Sequence, residues 1–293
     1  MSTVVEPYES VWTHLSRVSF KHGWVNVNGL ATRYIEAGPI DSPALFFLHG
    51  TAGSLESFCA TIGEHAKWFR CVAFDLIGSG FTDKPPYDYE IHHYVEHTIG
   101  LMHALGIKRA SFLGVSLGSW VIARLAIDHP EIVERLIMNA PFGLSDDADE
   151  ISGISSRRGK AFGDPSWENI SNIFKNLIHI PTKRIPDIIG MRQLMYQSKE
   201  ARDAAGHILN IFHPEALQRN LIKAEDWRKI QAPTLITLSK ADRPMFIRTA
   251  LTLSELIPFS QLLEMDGVGH WPHFEKPEEF NRSSLAFLKK SQL

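Results

Sequence analysis

Gly114-Val115-Ser116-Leu117-Gly118 is the stretch that decides how this 293-residue chain is read. Ala110 to Leu113 runs into it as a short strand, and Trp120, Val121, Leu125 and Ile127 recur after it at helical spacing. The pentapeptide is therefore a strand-to-helix turn with a serine at its apex. Such a turn strains the backbone, and the residues two before and two after must be very small for strand and helix to approach. Gly114 and Gly118 meet that demand. A glycine-rich turn that merely packs closely would look the same, so its meaning depends on the rest of the chain.

Moving outward, Ala44 to Leu48 is wholly apolar and ends at His49-Gly50, the pattern of a strand buried on both faces. Cys71 to Phe74, Leu136 to Met138, Pro233 to Leu238 and Leu262 to Met265 repeat the pattern with less purity. Between them lie helical spacings: Tyr94, Ile99, Leu101, Met102 and Leu105, then Met245 to Leu256, and a closing helix over Pro277 to Leu288. Strands alternating with helices predict a mostly parallel central sheet flanked by helices, an α/β fold. Upstream, Trp24 to Val27 and Thr32 to Ile35 flank Asn28-Gly29, a hairpin signal for antiparallel edge strands. The interval from Phe142 to Asp226 has no comparable strand but amphipathic stretches such as Ile188, Met191, Leu194 and Met195. The expected organisation is a core of 1–141 and 227–293 with an inserted helical lid, or cap, at 142–226.

Composition narrows the function classes. With 44% hydrophobic residues the chain has material for one large core, and a net charge of -3 without clustered Lys or Arg argues against nucleic acid as a partner. No apolar run is long enough to span a bilayer, and Met1 to Ser10 lacks the basic start and apolar stretch of a signal peptide. Cys59 and Cys71 sit in apolar segments and read as reduced core thiols. The expectation is a cytoplasmic protein acting on a small molecule, away from membranes, with a homo-oligomer left open.

A serine hydroxyl needs a base to take its proton and a third group to hold that base in the right tautomer. Asp242, in Ser239-Lys240-Ala241-Asp242, follows the strand Pro233 to Leu238; His270, in Gly267-Val268-Gly269-His270-Trp271, follows the next strand. Both belong where loops gather at the carboxyl edge of an open sheet. Taken singly, Asp242 suits a turn and His270 a surface loop; in the order Ser116, Asp242, His270 they read as a catalytic triad. Asp266, Asp146 and Asp147 are rival acids. After the strand Ala44 to Leu48, His49-Gly50-Thr51-Ala52-Gly53 suits half of an oxyanion hole, and the backbone N–H groups of Thr51 and Leu117 are assigned to it. His49 is expected to brace this loop by hydrogen bonding. His92, His93 and His97 are read as a solvated helix face rather than a metal site, and Gly78-Ser79-Gly80 as a turn. No metal or cofactor is called for.

With these residues in hand, the chain resembles the α/β-hydrolase superfamily over nearly its whole length, through His49-Gly50, Asp75 to Gly80, the serine turn, the Asp242 loop and Gly269-His270-Trp271. A serine at residue 116 separates it from dehalogenases and epoxide hydrolases, which look similar but place an aspartate there. Within the superfamily it is similar to meta-cleavage-product hydrolases, which split a carbon–carbon bond in dienoates from aromatic ring opening. Their lid arginine binds the substrate carboxylate, and Ile188-Ile189-Gly190-Met191-Arg192 looks like the segment bearing it. The resemblance implies Arg192 as a clamp, with Arg157 and Arg158 as competitors, and Trp271 beside the base as a second substrate contact. Two departures stand out: Val115 replaces the usual asparagine, and Thr51-Ala52-Gly53-Ser54 replaces a Gly-Pro-rich loop. On that ground the expected activity is a serine carboxylic-ester hydrolase acting on a small aromatic, carboxylate-bearing ester such as a monoalkyl phthalate. Carbon–carbon cleavage of a 2-hydroxy-6-oxo-dienoate is the alternative, and a non-catalytic ligand-binding protein the remote one.

Overall fold

A computed structural model describes residues 8–290. Its sheet has eight strands: β1 Phe20–Val27, β2 Leu30–Ala37, β3 Ala44–Leu48, β4 Arg70–Phe74, β5 Ala110–Val115, β6 Val133–Asn139, β7 Thr234–Ser239 and β8 Ser260–Met265. They lie in the order β1-β2-β4-β3-β5-β6-β7-β8, antiparallel from β1 to β4 and parallel from β4 to β8. This is the α/β-hydrolase fold, a mostly parallel sheet flanked by helices. Every residue of β3, β5 and β7 is buried, which is why β3 reads as an unbroken apolar run and β5 and β7 as largely apolar ones. Phe46 packs against Phe74 and Phe112 at ring separations of 6.3 and 5.7 Å, and each such buried ring contributes about 1.5–3 kcal/mol.

Asn28 and Gly29 take φ of 52° and 90°, as a two-residue hairpin turn between right-twisted strands requires. Of the two strands they join, only β1 is an edge, because β2 pairs onward with β4. Helices Ile91–Ala104, Leu117–Asp128, Pro244–Leu256 and Pro277–Leu288 cover the sheet. Parallel β3 and β4 need a crossover, and helix Cys59–His65 supplies it after a single turn at Leu55–Phe58. His97 departs from expectation. It lies on the buried side of Ile91–Ala104, where Nδ1 accepts from the Ile77 N–H at 3.1 Å and Nε2 meets Thr32 Oγ1 at 2.8 Å. Its own hydrogen bonds satisfy both ring nitrogens, so no solvated face is needed.

Among the described residues, the interval between β6 and β7 contributes helices alone, chiefly Ala148–Gly163, Trp167–Leu177 and Pro186–Gln197. Asp147 and Ser166 cap the first two through their side chains. These helices are tied to the loops at the carboxyl edge of the sheet. Arg158 Nε donates to Thr51 O at 3.2 Å, Tyr196 Oη to Ala52 O at 3.3 Å, and Ile180 N to Glu275 Oε2 at 2.7 Å. Strand register sets where those loops open: Leu48 faces Gly114, Val115 faces Asn139, and Ser239 faces Met265. The loops after β3, β5, β7 and β8 therefore converge on one edge. Cys59 and Cys71 are unpaired and buried, and no described helix is long and apolar enough to cross a membrane.

Candidate active site

Ser116 sits at φ 55° and ψ −114°, a conformation that costs on the order of 1–3 kcal/mol for a residue with a Cβ. Its surroundings enforce the strain. Ser116 N donates to Asn139 O at 3.0 Å, and Ser119 Oγ donates to Gly114 O and Asn139 O at 2.8 and 3.0 Å. A Cβ on Gly114 would lie 2.5 Å from Ser119 N, and one on Gly118 would lie 2.7 Å from the carbonyl carbon of Leu48. Both glycines are thus required by contact, one between strand and helix, the other between helix and β3.

His270 Nδ1 meets Asp242 Oδ2 at 2.9 Å, and both side chains are only 2% exposed. Asp242 Oδ1 accepts from the Arg243 N–H at 2.8 Å, so each carboxylate oxygen is used. Backbone bonds Ala241 N to Val268 O and Lys240 N to Met265 O, each 3.0 Å, lash the Asp242 loop to the His270 loop. Phe246 closes against the imidazole edge-on, at 4.4 Å between centroids. Of the rival acids, Asp266 faces Lys240 at the surface, Asp147 caps a helix, and Asp146 accepts from Gln218. No hydrogen bond joins the Ser116 hydroxyl to His270 here; in ligand-free enzymes such bonds are often long and tighten only with substrate bound.

The loop after β3 lies against Ser116, with the Cβ position of Gly50 3.3 Å from Ser116 Cβ. Neither the Thr51 nor the Leu117 N–H donates to any described group, and both residues are buried. His49 braces the loop. Its Nε2 accepts from Leu76 N at 3.0 Å, which leaves Nδ1 to donate to Gly50 O at 2.7 Å. Burial pushes the His49 imidazole down to about 3, so this neutral tautomer persists across the physiological range. Asp75 supports the same loop: its oxygens accept from Leu55 N and Phe81 N at 2.8 and 2.9 Å.

Arg192 is buried at 3% exposure, with its guanidinium 5.5 Å from the Phe174 ring and 5.7 Å from the Tyr196 ring. Its Nε and Nη1 have no hydrogen-bond partner. Phe174 meets Trp271 edge-on at 5.7 Å, so Arg192, Phe174 and Trp271 form one run of contacts ending beside His270. Arg157 keeps apart from this run; Arg158 touches Thr51 directly.

Sequence reasoning gave no role to Glu275, which accepts from Gly269 N at 2.8 Å as well as from Ile180 N, joining the His270 loop to the inserted helices. Burial holds its carboxyl above the ordinary range, against the lowering by these N–H groups. A carboxylate within the apolar Trp271-Pro272-His273-Phe274-Glu275 was the available signal. Phe246, Tyr196 and Arg243 were likewise unassigned.

Residues 45–283 match the alpha/beta hydrolase family. The chain is 28% identical to a 2-hydroxymuconate semialdehyde hydrolase of Pseudomonas putida, over 76% of this chain and 78% of that protein. It is 26% identical to the 2-hydroxy-6-oxo-6-(2'-aminophenyl)hexa-2,4-dienoic acid hydrolase of Metapseudomonas resinovorans, over 94% and 93%. Among solved structures, a meta-cleavage product hydrolase from Pseudomonas fluorescens superposes with a TM-score of 0.79 at 25% identity, covering 92% of this chain and 97% of that one. These relatives correct the expectation of a carboxylic-ester hydrolase, since they are named as hydrolases of 2-hydroxymuconate semialdehyde, of a 2-hydroxy-6-oxo-dienoic acid and of a meta-cleavage product. That expectation rested on polar groups missing at Val115 and Thr51-Ala52-Gly53-Ser54. Val115 is a buried strand residue at 1% exposure, and guanidinium groups from the inserted helices reach the site instead.

Proposed function

The chain belongs to the alpha/beta hydrolase family, and from that premise we propose that it is a serine hydrolase cleaving a carbon–carbon bond in a 2-hydroxy-6-oxo-dienoate. Ser116 is the nucleophile, His270 the base, Asp242 its orienting acid, and the Thr51 and Leu117 N–H groups the oxyanion donors. Arg192 holds the substrate carboxylate, Trp271 lines its carbon skeleton, and the helices of 142–226 act as a lid. The observation that carries the substrate class is Arg192, a buried cation with unpaired Nε and Nη1, an arrangement that costs several kcal/mol unless an anion arrives. The similarity to ring-fission hydrolases supports the same reading.

The chemistry follows from what a carbon leaving group needs. The dienol first becomes its keto form, with a proton on C5, so that the C5 electron pair can later be delocalised onto the C2 oxygen. Ser116 Oγ then bonds to C6 while His270 Nε2 takes its proton, and the C6 oxyanion sits at the two N–H groups. The C5–C6 bond breaks, its electron pair runs to the C2 oxygen, and His270 returns the proton to the departing dienolate. Water gives a proton to His270 and its oxygen to the acyl carbon, and Ser116 leaves reprotonated.

A coloured 6-aryl dienoate assayed beside a monoalkyl phthalate tests this. The dienoate should decay faster, and Ser116→Ala should abolish its turnover with the fold intact. An inert dienoate beside a rapidly cleaved ester, or retained activity in folded Ser116→Ala, would overturn the reading.

A further inference from the structure

We infer that the substrate of this site carries two anionic groups, the second held by Arg158 and Arg243. The inference rests on the proposed function and adds a property of the substrate's acyl end. Three guanidinium groups stand beside the loop after β3 or beside His270. Arg158 Nε donates to Thr51 O at 3.2 Å; Arg192 lies over Tyr196, whose hydroxyl donates to Ala52 O; Arg243 lies 5.4 Å over Phe246, which packs on His270.

None of the three is paired with a carboxylate among the described residues, and Arg243, like Arg192, leaves Nε and Nη1 buried without a partner. Elsewhere the fold more often supplies a counter-ion, buried Arg135 on the Lys290 carbonyl being the exception. Buried Arg33 pairs with Glu56 and Asp75, and Arg70 with Glu36 at 2.6 Å. Asp242 and Glu150 lie close enough to Arg243 to favour its charged form, but neither is paired with Arg158 or Arg192. Burial lowers the Arg158 guanidinium to about 10, with Arg243 and Arg192 adding to the effect, so it stays charged near neutrality. One carboxylate at Arg192 would leave Arg158 without a counter-ion in a site of low dielectric, which a second carboxylate, also within the remit of the unpartnered Nε and Nη1 of Arg243, relieves. The geometry thus points to a 2-hydroxy-6-oxo-dienoate whose acyl group also bears a carboxylate.

The test compares two dienoates, with a 6-phenyl and a 6-(carboxyphenyl) acyl group, and two competing ligands, benzoate and phthalate. Wild type should favour the dianionic dienoate, and phthalate should bind more tightly than benzoate. In Arg158→Gln and Arg243→Gln the ratio of kcat/KM, dianion over monoanion, should fall about 10- to 150-fold per lost charge-assisted contact. In Arg192→Gln both substrates should lose alike. Preference of wild type for the phenyl substrate, or an unchanged ratio in both variants, would overturn the inference. Failure to cleave either dienoate would instead strike the proposed function, while the phthalate–benzoate comparison still reports on the arginine cluster.

Discussion

Replacing Gly118 by alanine adds one methyl group where helix Leu117–Asp128 rests on β3. The new Cβ would lie 2.7 Å from the Leu48 carbonyl carbon and nearer still to its oxygen, whereas non-bonded carbons prefer about 3.5–4.0 Å. Helix and strand must therefore separate by about 1 Å. Leu48 belongs to a strand hydrogen-bonded on both sides, to β4 and β5, so the helix start has to give. Overpacking of this kind costs about 1–3 kcal/mol. The helix start also carries the Leu117 N–H and follows Ser116, so the same shift pulls nucleophile and oxyanion donor away from Thr51. A 1 Å misplacement is worth about 10²-fold in rate. Gly118→Ala should lower the melting temperature by several degrees in a thermal scan and cut kcat on the dienoate about a hundredfold, with KM changed less than threefold. Wild-type kcat together with an unshifted melting temperature would refute the close-approach reasoning for this turn.

Asp242→Asn leaves an amide against His270 Nδ1 and removes the charge that favours the imidazolium, so kcat should fall by about four orders of magnitude, while Asp266→Asn at the surface stays within twofold; equal losses in the two would reassign the acid. Acid should unfold the protein early. Burial lowers His49 and His273 to about 3, and His65 and His97 to about 4, below the ordinary 6.5. Groups held neutral in this way stabilise the fold fully above pH 6.5 and lose that contribution as pH falls toward the folded values, about 2 kcal/mol each at pH 5. Asp75, held up to about 6 by burial, works in the opposite direction, so the net loss is smaller than the sum of about 8 kcal/mol. Urea titrations at pH 7.5, 6 and 5 should show a steadily falling midpoint, and a flat profile would show that these histidines are not buried neutral.

Legibility in the sequence followed physical constraint. The run Ala44 to Leu48 could be read because a strand covered on both faces is mostly apolar, and helix Pro277–Leu288 because proline starts it and its apolar spacing continues. Asp242 and His270 were visible as short polar punctuation after such strands. The one-turn helix Leu55–Phe58 and helix Cys59–His65 went unread, since buried Ser57, Thr61 and His65 break their apolar stripe while finding partners in Ser54, His273 and Ser284. His97 misled for the same reason. A histidine whose two nitrogens are both satisfied inside looks, in one dimension, like one that faces water. Arg158 was named only as a competitor of Arg192 and Arg243 not at all, because the lack of a counter-ion is a property of the neighbours assembled around a charge.

That distinction bears on how a shared framework selects its bond. In the proposed mechanism the turn at Ser116, the His270–Asp242 pair and the unengaged N–H groups stabilise an oxyanion whatever atom leaves, so they would serve ester and carbon–carbon cleavage alike. Selection must then come from groups that differ in their grip on the rest of the substrate. In this chain those groups are guanidiniums on helices between β6 and β7 and on the loop after β7, held by aromatic faces and by the carbonyls of the loop after β3. A residue such as Val115, locked in β5 with its side chain in the core, has little say in the matter. On the proposed reading the arginines above the sheet choose the substrate, and the strained serine at its edge performs the same step on whatever they deliver.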